Sequence, residues 1–146
     1  MFRTAALAGL MMLAAPIAHA AEEAPELTII EAGEHTLDEF RWEARPIVVF
    51  ADSANDPRYL EQLAFFADRP DDLIARDAVI ITDTDPDTLS PIRKELRPRD
   101  FMIVLIGKDG QKYLRKPFPW SIRELTRSID KMPLRLQEMQ DQRLVR

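Results

Sequence analysis

Three short apolar runs, spaced by helix starts and a tight turn, fix most of what this chain can become. They are Ile47-Val48-Val49-Phe50, Ala78-Val79-Ile80-Ile81 and Phe101 to Ile106. Each is short and rich in β-branched residues, so each reads as a strand buried on both faces. After the first run, Asp56-Pro57 supplies an N-cap and a proline at the first helical position. Leu60, Leu63, Ala64 and Ala67 follow at i, i+3, i+4 and i+7, one apolar stripe, and Arg69-Pro70 closes or kinks that helix. Ser90-Pro91 repeats the same start ahead of a short helix to Leu96. Beyond the third run, Asp109-Gly110 signals a hairpin, with Gln111 to Arg115 as the returning strand.

The flanks add less. Leu27 to Ile30 reads as a first strand at a sheet edge, and Thr36 to Glu39 has capping-box spacing, with Leu37, Phe40 and Trp42 as its inward candidates. Ser121 to Glu124 is a second capping box, opening a helix whose inner face is Ile122, Leu125, Ile129 and Met132. Pro133 is expected to stop it, and 134–146 to form a charged tail, frayed or weakly helical. Alternating units demand parallel pairing early, and the hairpin adds an antiparallel pair late. The expectation is an α/β, thioredoxin-like domain over 21–133, with a central mixed sheet of four to five strands flanked by helices.

The first residues read as an export signal. Arg3 gives a positive start, Ala5 to Ala18 carries no charge, and Ala18-His19-Ala20 offers a small-x-small cleavage pattern after Ala20. A membrane span needs about 20 apolar residues, and this run is shorter and broken by Pro16. The expected compartment is a bacterial periplasm, with no membrane span once the signal is removed. Arg3 leaves with the signal, so the formal charge moves from −5 to −6, which argues against a nucleic-acid surface, since that needs a basic stripe. The chain contains no cysteine, so disulfides cannot staple it and a thiolate cannot act in it.

Several segments together resemble a known group. They are Arg45-Pro46-Ile47-Val48-Val49-Phe50, Asp56-Pro57-Arg58, Arg76-Asp77-Ala78-Val79, and Val104-Leu105-Ile106-Gly107-Lys108-Asp109-Gly110. In order and spacing they resemble the thioredoxin-like family called P-DUDES, shared with Equarin and the sushi-repeat extracellular proteins. The resemblance spans about Ile29 to Met132 and implies a secreted location and a thioredoxin-like fold, without a settled activity. Thioredoxins carry their redox pair at the start of the long helix, where the helix N-terminus lowers a thiol's pKa. Here Asn55-Asp56-Pro57-Arg58 stands in that place, and the proline such proteins set before the next strand is missing near Phe101-Met102.

Candidate sites follow from that comparison. Asn55, Asp56, Arg58, Arg99 and Asp100 are the candidate binding residues, with Arg58 at a positive helix end able to attract an anion; a plain cap with a solvated arginine is the structural alternative. Asp83, Asp85 and Asp87 form an acidic loop that invites a divalent cation, although counting from Asp83 puts Thr88 and Lys94 where an EF-hand needs Gly and Glu. Arg76-Asp77 and Arg99-Asp100 precede strands and have the chemistry for bidentate pairs. His35 is the one histidine beyond the signal, so any Ser-His-Asp triad must use it, yet the chain has no nucleophile turn and a surface or capping histidine is the better account; a zinc site is similarly disfavoured, with only carboxylates to complete it. With four glycines there is no phosphate-cradling loop, and no cofactor is expected. Pro117-Phe118-Pro119-Trp120 either docks on the sheet or, if exposed, offers a partner patch.

Two functions fit these residues. One is a non-enzymatic binding module for an exported protein or small ligand. The alternative is a thiol-independent oxidoreductase or peroxidase-like activity at the same helix end, using Asp56, Arg58 or Arg99.

Overall fold

The computed structural model describes residues 23–146, so the expected signal at 1–20 lies outside the described residues. The order is β1 (Ile29–Glu31), a 3-10 turn (Leu37–Phe40), β2 (Arg45–Phe50), α1 (Pro57–Asp68), α2 (Pro70–Ile74), β3 (Ala78–Asp83), α3 (Pro91–Leu96), β4 (Met102–Ile106), β5 (Lys112–Lys116), α4 (Ile122–Asp130) and α5 (Pro133–Leu144). The strands form one mixed sheet in the order β1-β3-β2-β4-β5. β1 and β2 run parallel to β3, while β4 is antiparallel to both β2 and β5. This is an α/β fold consistent with the thioredoxin-like arrangement.

Period-two alternation divides the central strands between two cores. Ile47, Val49, Ile80, Ile103 and Leu105 point to one face, where Phe66 of α1, Leu73 of α2 and Ile122, Leu125 and Ile129 of α4 cover them. Val48, Phe50, Ile81, Val104 and Ile106 point to the other, under Leu37 of the 3-10 turn and Ile92 and Leu96 of α3. Every residue of β2 and β3 is buried, as continuous apolar runs require. The turn after β4 needs Gly110, which takes φ of 81° and donates its N–H to the Gly107 carbonyl.

The expected inner face of α1 is turned. Tyr59, Gln62 and Phe66 are buried and Leu63 is partly so, whereas Leu60, Ala64 and Ala67 are exposed. Phe66 offers far more apolar area than an alanine. Gln62 is buried because its amide is satisfied at both ends: Nε2 donates to the Trp120 carbonyl (3.0 Å) and Oε1 accepts from the Trp120 N–H (2.7 Å). That bond also seats the segment before α4, with Trp120 packed on the core and Phe118 exposed. Trp42 is exposed as well, in a left-handed bend (φ 68°).

The charged tail is likewise a correction: from Pro133 to Leu144 it is a helix, and Pro133 opens α5. Charge holds it. Glu138 accepts two hydrogen bonds from the fully buried Arg45 (3.0 and 3.2 Å) and one from Lys108 (2.9 Å). Arg135, itself buried, reaches Asp130, which Arg76 grips in a bidentate pair (2.9 and 2.8 Å). Arg76 therefore does form a two-pronged pair, but with Asp130 and not with its neighbour Asp77. Asp77 and Asp100 share another role: both take left-handed φ (53° and 54°) just ahead of a strand, a conformation Asp tolerates better than most residues.

Candidate functional site

Three connections leave the carboxyl edge of the parallel strands together: the one after β1, the one between β2 and α1, and the one between β3 and α3. Open α/β sheets bind ligands at this edge. The β2–α1 connection is tied back by Ala51 N–H to the Asp83 carbonyl (3.0 Å) and by Asn55 N–H to Ser53 Oγ (3.1 Å). Asp56 then caps α1, accepting from the Arg58 N–H (2.9 Å), with Pro57 at the first helical position.

The Arg58 side chain folds over its own cap. Its Nε and Nη2 donate to the two Asp56 oxygens (3.0 and 2.7 Å), and Nη2 donates also to Asp100 Oδ1 (2.8 Å). The guanidinium stands over the ring of buried Phe101, 5.6 Å from its centre. Side-chain hydrogen bonding to Arg58 holds the Asp56 carboxyl below its usual range, with burial working against it. Asp56 and then Asp100 raise the arginine further above its ordinary value. One cation is thus committed to two carboxylates, and the α1 mouth is not an open anion trap.

Of the five residues expected here, the structure joins Asp56, Arg58 and Asp100 into one network. Asn55 is exposed and tied in through its backbone alone. Arg99 is exposed and outside the network.

The acidic loop does not converge. Asp83 is buried, with Oδ1 accepting from Arg93 Nη2 (2.9 Å) and Oδ2 from Ser90 Oγ (2.7 Å). Asp85 closes a turn on Thr88, accepting from its hydroxyl (2.7 Å) and backbone (3.3 Å), and those bonds hold its carboxyl below the usual range. Asp87 is exposed. Among the described residues no three metal-ligating side chains gather, so Asp83, Asp85 and Asp87 do not make the cation site their spacing suggested. Their carboxylates instead order the turn and the start of α3.

Two clefts flank the β2–α1 connection. One, about 350 Å³, opens between the ends of β1 and β3, under Glu31, Thr82, Thr84, Asp85 and Thr88, with Ala54 and Tyr59 on its far side. The other, about 500 Å³, lies between Asp52, the Pro86-to-Leu89 stretch and α3. Sequence reasoning missed both. The one available signal is Arg93: it sits beside Ile92 and three residues before Leu96, so the buried face of α3 must carry a guanidinium.

The sequence from 36 to 138 matches the model of a protein family described as a domain of unknown function, DUF4174. That match covers well over half of the chain. The chain belongs to the DUF4174 family. No curated protein matches it. The matched stretch takes in the β2–α1 connection, Asp83, Arg93 and the Glu138 contact of α5, so it contains the whole lining of the cleft over α3, while the β1 wall of the other cleft (Glu31 to Gly33) lies outside it.

Proposed function

We propose that this DUF4174 protein is an exported, thiol-free ligand-binding domain on a thioredoxin-like scaffold, related to the P-DUDES group and released after Ala20. The thiol-free part of the reading rests on the α1 mouth, where Asp56, Arg58 and Asp100 form a closed ion network in a chain without cysteine. Disulfide exchange needs a thiolate, and an arginine held by two carboxylates offers no nucleophile in its place. The clefts on either side of the β2–α1 connection fall in the size range of small-ligand sites. Fold alone does not assign a ligand. The binding reading therefore rests on the clefts.

The test is a melting screen on protein recovered from the periplasm of a bacterial host. Its N-terminus, read by mass spectrometry, is expected at Ala21. Small carboxylates, phosphate, sugars and divalent cations are then added in turn. A ligand at a hundred times its Kd stabilises by about 2.7 kcal/mol, a shift of several degrees for a domain of this size. At least one organic class should produce such a shift, unchanged by added reductant. A flat response across the panel would contradict small-ligand binding.

A further inference from the structure

Resting on that reading, we infer that the cleft over α3 is a site for a small organic carboxylate carrying an apolar stem. Arg93 lines the cleft although only 6% of it is exposed. Among the described residues its side-chain hydrogen bonds all leave from Nη2, toward Asp83 Oδ1 (2.9 Å), the Asp83 carbonyl (3.2 Å) and the Ala51 carbonyl (3.4 Å). Its Nε is buried with no partner among the described residues. A guanidinium presents five N–H donors in a rigid fork, and a buried donor without an acceptor costs free energy. This side chain is therefore short of acceptor oxygen, on the border of an open cleft. The Phe50 ring, 5.3 Å from the guanidinium, holds its plane.

The rest of the lining selects the ligand. Asp83 already balances Arg93, so the spare charge comes from exposed Lys94 and Arg97, opposed by Asp52. That leaves room for one negative charge and disfavours a dianion, which would meet Asp52 as well. Leu89, 58% exposed, together with Pro86 and Pro98, supplies an apolar wall. A carboxylate matches the fork of a guanidinium, and a short hydrocarbon stem matches the wall.

The experiment is a titration of the ¹⁵N-labelled exported protein with hexanoate, with hexanamide and inorganic phosphate as comparison probes. Hexanoate should move the Arg93 Nε–H signal together with the amides of Leu89, Lys94 and Arg97, and the shift should saturate. Hexanamide and phosphate should leave that set nearly in place. The double variant Lys94→Gln, Arg97→Gln changes only exposed side chains and should weaken hexanoate about tenfold, with amide signals distant from the cleft unchanged. An Arg93 Nε–H signal that stays still under hexanoate overturns the inference. So does equal movement with hexanamide. If hexanoate moves only Asn55, Arg58 and Asp100, this site falls while the binding function stands.

Discussion

Replacing Asp83 with alanine should cost about 3–5 kcal/mol of unfolding free energy. Its carboxylate and the Arg93 guanidinium are both more than nine-tenths buried and lie 2.9 Å apart. Removing the acid leaves a buried cation facing carbonyl oxygens alone, and it strands the Ser90 hydroxyl that Asp83 accepts from. Such a loss is a large part of the total for a typical domain, about 5–15 kcal/mol. Urea unfolding followed by circular dichroism measures it. The pair itself is not the source of so large an effect; the orphaned charge is. Replacing both partners, Asp83→Leu with Arg93→Met, should therefore cost less than Asp83→Ala alone. A double variant as unstable as the single one would show that the site tolerates no apolar filling.

Glu138→Ala is expected to cost about 3 kcal/mol, at the lower end of the range for breaking a buried pair. Arg45 is fully buried, and among the described residues its Nε has no partner and, without Glu138, its remaining side-chain hydrogen bond is to the Arg76 carbonyl (2.9 Å). Glu138 is a quarter exposed, so water can partly replace it, which sets the lower figure. The same contact shapes the acid limb of stability. Burial alone would raise the Glu138 carboxyl, but Arg45 and Lys108 outweigh it and hold it below its ordinary 4.5. Asp130 is held below its ordinary value by Arg76, with Arg135 assisting. A carboxyl depressed in the folded state contributes stability that is present above its ordinary pKa and lost as pH falls through the folded one. Stability should thus decline as pH drops below 4.5, and less steeply in Glu138→Ala, where the Asp130 part alone of these two remains.

The strands and the starts of the helices are legible in the sequence because their signals are local. A β-branched run such as Ile47 to Phe50, or a Ser90-Pro91 start, states its structure within a few residues. Hydrophobic periodicity also finds the inner face of α4 correctly. It fails on α1, because Gln62 is buried by hydrogen bonds to Trp120, 58 positions away, and polarity marks it as outward. It fails again on α5, whose Leu136 is exposed and whose anchor is Glu138 on Arg45, 93 positions distant. A helix docked by ion pairs has no apolar stripe to read. At the site, residues 55 to 58 and Asp100 can be nominated by comparison with a redox scaffold. That Arg58 is consumed by Asp56 and Asp100, and that Arg93 is the guanidinium with an idle edge, follow from side-chain geometry.

The most direct measurement is peroxide turnover by the purified protein, with and without dithiothreitol or ascorbate, beside an Arg58→Ala variant. The proposed thiol-free binding function predicts rates equal to buffer in every arm, with no change in the variant. Reproducible peroxide consumption that drops on loss of the Arg58 guanidinium would mean that chemistry persists at the head of α1.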